Sequence, residues 1–189
     1  MSAAPMLAHP SADRFTEWVE LVEDYGGPES TELVGSGFHG NREPRVPVLT
    51  PDGYATWLAM LAEEADESIP PHPGRVKSSW FWILDDDGAW VGFLALRRSL
   101  NAALLETGGH IGYSIRPSRR GEGLAGRALA DALVEASAIG LERVLITCDV
   151  QNTASARTIE RNGGVYEDSR GGKRRYWVPT GPKRTMGGG

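Results

Sequence analysis

The spacing of apolar residues changes character twice in the middle of the chain. Ile111, Tyr113 and Ile115 alternate with small or polar residues, which is the pattern of a strand with one buried face. Arg116-Pro117 ends this alternation, because proline cannot donate a hydrogen bond to a strand ladder. Beyond Gly123 the period becomes helical, with one apolar face formed by Leu129, Ala132, Leu133 and Ala136. The middle of the chain therefore predicts a strand, a turn and a helix in immediate succession.

The same periodicity predicts elements before this central stretch. They are, in order, an edge strand over residues 6–9, a helix capped by Ser11, an irregular connection over 26–50, a helix from Thr50 or Asp52, and a hairpin of strands 79–84 and 90–96. Trp80, Trp82 and Trp90 of the hairpin are expected to pack in the core or on the surface rather than to stack on a ligand. Residues 97–107 show no clear period and are predicted to form a longer connection.

After the central stretch, the pattern predicts three more strands and one short helix. These are a strand over residues 144–148, a helix from Asn152 to Arg161, and strands over 165–168 and 174–178. Residues 181–189 are rich in glycine and are expected to be disordered. No internal repeat or domain boundary is apparent.

The turn from Arg120 to Ala125 predicts an anion-binding site. A glycine-rich turn that leads into a helix leaves several backbone N–H groups unpaired, and the helix dipole adds partial positive charge there. Gly121 and Gly123 allow positive φ and a close approach of a ligand. A tight turn with solvated arginines and no ligand would have the same sequence. Because the usual P-loop and dinucleotide spacings are absent, a different phosphate-bearing ligand is favoured.

Two blocks of sequence resemble the GCN5-related N-acetyltransferase (GNAT) family. The residues Arg120-x-x-Gly123-x-Ala125 match its Q/R-x-x-G-x-G/A signature, and residues 147–155 resemble its fifth strand with the asparagine that opens the next helix. The resemblance covers about residues 80–178. It implies an α/β (α+β) single-domain fold, with a mixed, mostly antiparallel sheet that is splayed at its centre and flanked by helices. Within a domain of residues 1–180, it implies that residues 1–75 shape the acceptor site and that 76–180 bind the cofactor.

The resemblance also implies acetyl-coenzyme A as co-substrate. Its pyrophosphate would bind the turn at residues 120–125, its pantetheine arm would pair with residues 113–115 as an extra strand, and a backbone N–H near Ile115 would polarise the acetyl carbonyl. Asn152 would bind the pantetheine amide or only cap its helix. The implied cofactor-binding residues are Tyr113, Ser114, Ile115, Arg120, Gly121, Glu122, Gly123, Leu124, Ala125, Asn152 and Ser155. Tyr113 could instead line the acceptor pocket.

Proton transfer is the part of the implied chemistry that the sequence leaves open. His110 stands where the family often has a base, and an ordinary histidine pKa of about 6.5 suits that work, although a structural role fits it equally. Glu106 is the other candidate base. The tyrosine that protonates the thiolate in many members is replaced by Ile159. Ser155, Tyr166, water or no acid at all remain as alternatives.

Composition narrows the classes of partner. The formal net charge is −5, which does not indicate a nucleic-acid-binding surface. An acidic balance slightly favours a cationic, amine-bearing substrate. The single cysteine, Cys148, excludes an internal disulfide and favours a reducing compartment. Neither a signal peptide nor an apolar run of the ~20 residues that span a bilayer is expected. We therefore expect a cytoplasmic protein without membrane attachment or metal, with a homodimer left open.

The sequence thus predicts an N-acetyltransferase that acts on a small amine. Two alternatives stay open, a non-catalytic acyl-coenzyme-A-binding module and an acetyltransferase of peptide or protein N-termini. The connection at residues 26–50 could close over a small pocket or flank a peptide groove.

Overall fold

The strands of the chain form one seven-stranded sheet. The computed structural model describes residues 6–38 and 48–181. The strands are β1 (Leu7–Ala8), β2 (Ser78–Leu84), β3 (Trp90–Arg97), β4 (Ile111–Ile115), β5 (Arg143–Asp149), β6 (Val165–Arg170) and β7 (Lys173–Pro179), in the sheet order β1-β2-β3-β4-β5-β7-β6. The helices are α1 (Phe15–Asp24), α2 (Pro51–Ala65), α3 (Leu124–Ala138) and α4 (Thr153–Arg161). The predicted mixed, mostly antiparallel sheet with flanking helices is confirmed.

Each face of the sheet has its own apolar core. On one face α3 and α4 pack on aliphatic residues of the central strands, among them Ile111, Ile115 and Ile146. On the other face α1 and α2 pack on an aromatic cluster in which Trp18, Trp57, Trp82, Trp90 and Phe93 are at most 2% exposed. Trp82 and Trp90 stack with ring centroids 3.8 Å apart. Of the two packing positions predicted for the tryptophans of the β2–β3 hairpin, core and surface, the structure shows the core.

The sheet is splayed between β4 and β5. These are the only parallel neighbours among the described strands, and one residue pair, Ile111 and Ile146, is in register. Just before it, the His110 N–H donates to the carbonyl of Leu145 over 2.7 Å. Gly109 makes this approach possible, because its φ is 68° and an added Cβ would lie 2.6 Å from the Leu145 oxygen. The two strands therefore meet at the start of β4, and a gap separates them toward their carboxyl ends.

Several sequence expectations need correction or lie outside the described residues. Arg14, not Ser11, is the N-cap of α1, and the Ser11 hydroxyl donates to Asp13 over 2.5 Å instead. Thr50 does cap α2, since its hydroxyl oxygen accepts from the Gly53 N–H. The connection after β3 contains a π-helical turn, Leu104–Gly108, that the sequence did not suggest. Residues 39–47 of the predicted long connection and 182–189 of the predicted tail are not described.

No helix within residues 6–38 and 48–181 is long and apolar enough to cross a membrane.

Candidate active site

Alternate residues of β4 direct their backbone away from β3. At the two ends of the β3–β4 ladder, the Arg97 N–H donates to the His110 carbonyl and the Arg116 N–H donates to the Val91 carbonyl, over 2.7 and 2.8 Å. In an antiparallel ladder such bonded pairs alternate with non-bonded ones. Every second residue of β4, starting from Gly112, therefore bonds to β3, and the residues between them face β5.

Tyr113 and Ile115 are the residues whose backbone faces the gap. The carbonyl of Ile115 accepts a hydrogen bond from Arg120 Nε over 3.0 Å. This leaves the N–H groups of Tyr113 and Ile115 and the carbonyl of Tyr113 directed into the gap. An extended ligand with amide groups can pair with such an edge as an additional strand.

The turn before α3 presents a row of unpaired N–H groups. Gly121 and Gly123 have φ of 87° and 79°, in the left-handed region that favours glycine. Gly123 is the N-cap of α3 and offers no side chain to cap it. Within the described residues, the N–H groups of residues 121–125 donate no hydrogen bond. This cradle lies directly beyond the carboxyl end of β4, so it continues the unpaired edge of that strand, and its N–H groups and helix dipole suit an anion such as a pyrophosphate.

Carboxylates neutralise the arginines around the cradle. Arg119 binds both carboxylate oxygens of Glu122, which lowers the pKa of that carboxyl group, so the predicted contribution of Glu122 reduces to its backbone N–H. The four ion pairs, at 2.5 to 2.8 Å, are Arg116–Asp24, Arg119–Asp85, Arg119–Glu122 and Arg120–Glu32. The uncompensated positive potential therefore comes from the backbone and the dipole of α3.

Two hydroxyl groups meet beside the gap. The hydroxyl groups of Tyr113 and Ser155 are 2.9 Å apart, and Asn152 Oδ1 caps α4 by accepting from the Ser155 N–H over 3.0 Å. The capping alternative for Asn152 is thus confirmed, and its Nδ2 group remains as a possible ligand donor. Burial raises the pKa of Tyr113 to about 12 and also raises the pKa of the Cys148 thiol nearby. Both groups hold their protons at neutral pH.

Ser114 lies on the opposite face of the sheet from this cluster. Its hydroxyl donates to the Val34 carbonyl over 2.7 Å and accepts from the Tyr25 hydroxyl over 3.0 Å. Its backbone bonds to β3 rather than facing the gap. The expectation that Ser114 binds the cofactor is not supported, because both its side chain and its backbone are directed elsewhere. Its role in the structure is to hold the segment around Val34 against β4.

His110 is buried, and its free electron pair is occupied. Its Nδ1 accepts from the Leu145 N–H over 2.9 Å, so the ring proton is on Nε2. Burial, and next the charge of Arg97, lower its pKa to about 4. Because the folded protein binds this proton more weakly than the unfolded chain, stability is lost as the pH falls from about 6.5 toward 4. This geometry suits a structural residue and weighs against a general base.

The other proton-transfer candidates lie away from the Tyr113–Ser155 pair. Glu106, on the π-helical turn, is about half exposed and pairs with Arg170 at 3.0 Å. Ile159, a residue of α4, is fully buried in the core and has no group that could donate a proton. Tyr166 lies on the edge strand β6 and bonds to Ser169. Of the proposed acids, Ser155 alone therefore lies beside the gap. No group of metal-ligating side chains occurs among residues 6–38 and 48–181.

The sequence model of the acetyltransferase (GNAT) domain matches residues 37–165. The chain belongs to this acetyltransferase family. Comparison with curated protein sequences gives no match.

Solved structures of GNAT acetyltransferases share the fold at low sequence identity. Mycobacterium smegmatis RimJ in complex with CoA-disulfide is 22% identical with a TM-score of 0.65, over 92% of this chain and 80% of that one. The ribosomal L7/L12 α-N-protein acetyltransferase RimL in complex with coenzyme A is 14% identical, with a TM-score of 0.62 over 92% of each chain. The microcin C7 self-immunity acetyltransferase MccE, in complex with acetyl-CoA and AMP, is 15% identical with a TM-score of 0.59, over 92% and 91%.

This acetyltransferase has a cavity of about 670 Å³ on the face of the sheet opposite α3. Its walls come from residues 31–37, from the segment before β2, and from the end of β3 with the connection that follows. A Cβ added to Gly112 would lie 3.3 Å from Val34 Cγ1 and 3.7 Å from Arg97 Nη1, and both of these residues line the cavity. Two residues of the cavity wall therefore contact β4 at Gly112, beside the point where the gap opens.

The sequence analysis did not identify the residues of this cavity. Arg97 ends a strand that is otherwise entirely buried. A cation at the end of such an apolar strand could have indicated a binding site for an anion. Gly35 and Gly37 have φ of 82° and 78°, and they let the segment 31–37 lie flat on the sheet. Their spacing in the sequence looks like that of any flexible loop, so it could not reveal this contact.

Proposed function

We propose that this chain transfers the acetyl group of acetyl-coenzyme A directly to the amine of a small molecule. The observation that carries the proposal is the continuity of two sites. The gap-facing backbone of Tyr113 and Ile115 runs straight into the cradle at residues 121–125. A pantetheine arm that ends in a pyrophosphate has amide groups and an anion in that same order.

Each residue of the gap has a part in binding. Tyr113 and Ile115 pair with the amides of the pantetheine arm, and the cradle N–H groups bind the pyrophosphate. Arg120 holds the Ile115 carbonyl, which keeps the end of β4 in position for the cradle. The Nδ2 group of Asn152 donates to the arm while its Oδ1 caps α4. Because the arm runs from the cradle past Ile115 toward Tyr113, the acetyl group lies at the Tyr113 end. The Tyr113 N–H, in place of the Ile115 N–H expected from the sequence, polarises the acetyl carbonyl and stabilises the tetrahedral oxyanion.

The transfer itself needs one bond made and one bond broken. The amine nitrogen, entering from the cavity, attacks the acetyl carbonyl carbon, and collapse of the tetrahedral intermediate breaks the C–S bond. The hydroxyl groups of Ser155 and Tyr113 stabilise the departing thiolate by hydrogen bonding, since the high pKa of Tyr113 keeps its proton in place. The attacking nitrogen releases its second proton to solvent as the amide forms, and solvent supplies the proton that yields free coenzyme A.

The amine must lose a proton before it attacks, because its pKa is about 10 in water. We assign this proton to solvent water in the cavity, for two reasons. The Nδ1 atom of His110 already accepts from the backbone of β5, and Glu106 is paired with Arg170. His110 and Glu106 remain testable alternatives.

An N-terminal amine of a protein is the second candidate acceptor. The names of two structural neighbours support it, RimL and a ribosomal-protein-S5-alanine acetyltransferase from Vibrio fischeri, which is 16% identical with a TM-score of 0.61. A small acceptor is favoured by the cavity, whose volume of about 670 Å³ lies within the range of about 300–1,000 Å³ typical of small-molecule sites. Within the N-terminal part of the chain, residues 31–37 contribute to this cavity, in keeping with a role in shaping the acceptor site.

The test mixes the protein with acetyl-coenzyme A and a panel of small amines and peptides while free thiol is followed. Thiol release with a small amine, together with an N-acetylated product, supports the proposal. Stabilisation by acetyl-coenzyme A without turnover of any acceptor would instead support the non-catalytic binding module. Acetylation of peptides alone would favour the protein acceptor.

A matched pair of variants tests the cradle. Gly123→Ala and Gly140→Ala both place a methyl group at positive φ with no atom within 4 Å, so their conformational cost is the same. Only Gly123 belongs to the cradle. We expect Gly123→Ala to weaken coenzyme A binding at least about tenfold, or 1.4 kcal/mol, and Gly140→Ala to leave binding unchanged. Equal affinities for the two variants would place the pyrophosphate elsewhere.

A further inference from the structure

The cavity beside β4 is cationic. Its lining contains two arginines, Arg75 and Arg97, and no aspartate or glutamate among the described residues. Arg75 is compensated from behind by the buried carboxylate of Glu64, at 2.7 Å. Arg97 has no such partner within the described part of the chain. The overall charge of −5 suggested a cationic acceptor, but the charge at the cavity wall has the opposite sign.

Arg97 is held so that part of its guanidinium remains available. Its Nη1 donates to the carbonyls of Gly108 and Gly109 over 3.4 and 3.1 Å, bonds that position the group without neutralising it. Burial, and next the charge of Arg75, lower the pKa of Arg97, while Glu64 opposes this. An anion bound in the cavity would stabilise the charged guanidinium against both its burial and the repulsion from Arg75. Guanidinium groups with free donors bind carboxylate and phosphate in two-point geometry.

The guanidinium lies next to the place where transfer would occur. It covers the α-carbon of Gly112, which precedes the gap-facing residue Tyr113. An anionic group bound to Arg97 would therefore lie only a few bonds from an amine that attacks an acetyl group held along β4. The rest of the lining includes Leu33, Val34, Trp80 and Leu104, which suit an apolar body.

We propose that the acceptor is a small amine that bears an anionic oxygen group, a carboxylate or a phosphate close to the nitrogen, and that Arg97 binds this group. The inference rests on the proposed function and narrows its substrate class. Arg97 acts as a specificity-determining residue and takes no part in the bond changes.

The experiment compares matched acceptors in the thiol-release assay. The carboxylate arm pairs apolar α-amino acids with their primary amides and with the corresponding decarboxylated amines. The phosphate arm pairs aminoalkyl phosphates with the parent amino alcohols. A charge-assisted hydrogen bond is worth enough to change kcat/KM by roughly tenfold to a hundredfold. We expect the anionic member of at least one arm to be preferred by that factor.

Variants then assign the preference to Arg97. In Arg97→Gln the ratio of kcat/KM for the anionic acceptor to kcat/KM for its neutral counterpart should fall to near unity, while the KM for acetyl-coenzyme A stays near wild type. Arg97→Lys keeps the positive charge and should therefore retain part of the preference for the anionic acceptor. Arg98→Gln is the matched control, because Arg98 pairs with Glu67 outside the cavity and the preference should be unchanged. If Arg97→Gln does not fold, the wild-type enzyme is assayed with des-amino analogues of the preferred acceptor instead. These analogues keep the anionic group, so they should inhibit competitively with respect to the acceptor but not with respect to acetyl-coenzyme A.

The outcomes separate this inference from the proposed function. Equal kcat/KM for anionic and neutral acceptors, or a preference that survives in Arg97→Gln, overturns the inference alone. In the inhibitor test, absence of competition by the des-amino analogues does the same. Acetylation of peptides only also overturns it. No thiol release with any acceptor overturns the proposed function and the inference together.

Discussion

The contact between residues 31–37 and β4 depends on Gly35. Its φ is 82°, and an added Cβ would lie 2.5 Å from the Gly112 carbonyl oxygen and 3.1 Å from that of Phe93. Real Cβ atoms do not approach backbone oxygens as closely as 2.5 Å. Gly35→Ala must therefore push this segment away from β4, and with it the wall of the cavity.

The loss of unfolding free energy in Gly35→Ala has two parts, which a control variant can separate. Placing alanine in the left-handed region costs about 1–2 kcal/mol, and forcing an overlap with packed backbone costs about 1–3 kcal/mol more. Gly88 has φ of 80° and no atom within 4 Å of an added Cβ, so Gly88→Ala should show the first cost alone. The expected losses of unfolding free energy are about 1–2 kcal/mol for Gly88→Ala and about 2–5 kcal/mol for Gly35→Ala.

Thermal unfolding and acceptor kinetics measure the two parts. In a domain of this size each kcal/mol lowers Tm by about 2–4 °C, so Gly88→Ala should lose about 2–8 °C and keep its acceptor KM. Gly35→Ala should lose more. If the segment instead detaches locally, the Tm of Gly35→Ala will match the control while its acceptor KM rises by about tenfold or more, the equivalent of 1.4 kcal/mol. The reasoning fails if Gly35→Ala equals Gly88→Ala in both Tm and acceptor KM.

Three further variants test particular side chains. His110→Asn keeps an acceptor for the Leu145 N–H but cannot titrate, so it should remove up to about 3 kcal/mol of the stability lost between pH 6.5 and 4, with neutral-pH turnover retained; an unchanged acid transition, or turnover lost, would contradict the structural role. Ser155→Ala removes a hydroxyl that the proposed mechanism places beside the leaving sulfur, and kcat should fall by roughly tenfold or more, a loss of about 1–2 kcal/mol, with the coenzyme A affinity little changed; unaltered kcat would exclude Ser155 from the transfer step. Thr50→Ala should lower the unfolding free energy by about 1 kcal/mol, and Thr50→Ser should restore it, which denaturant unfolding can measure; equal stability of the two variants would show that the cap contributes nothing.

The order of helices and strands was largely readable from the sequence. The strand at Ile111–Ile115, the glycine turn and the helix after it depend on local spacing, proline and glycine, and these signals act within a few residues. For the same reason the cradle at residues 121–125 could be located before the structure. The α1 cap was misplaced, because serine favours caps in general while the actual start of α1 depends on how the helix packs.

Long-range contacts decided which side chains reach the site. Alternation along β4 made Tyr113 and Ser114 equal candidates, and only the pairing with β3 and the contact with Val34 show that Ser114 faces the other way. His110 looked like a base from its position in the chain. The approach of β5 in the fold occupies its Nδ1 atom and lowers its pKa.

The sequence by itself determined the family, the succession of elements and the glycine-rich turn before α3, because each of these depends on short, contiguous patterns. The tertiary structure alone decided the cavity. Arg97 and Val34 are 63 positions apart in the sequence, and they come together over Gly112 because left-handed glycines let one segment lie flat on the sheet while the end of β3 supplies a cation. The position of the Arg97 charge in the cavity wall depends on contacts between segments far apart in the sequence, so no local sequence pattern could predict it.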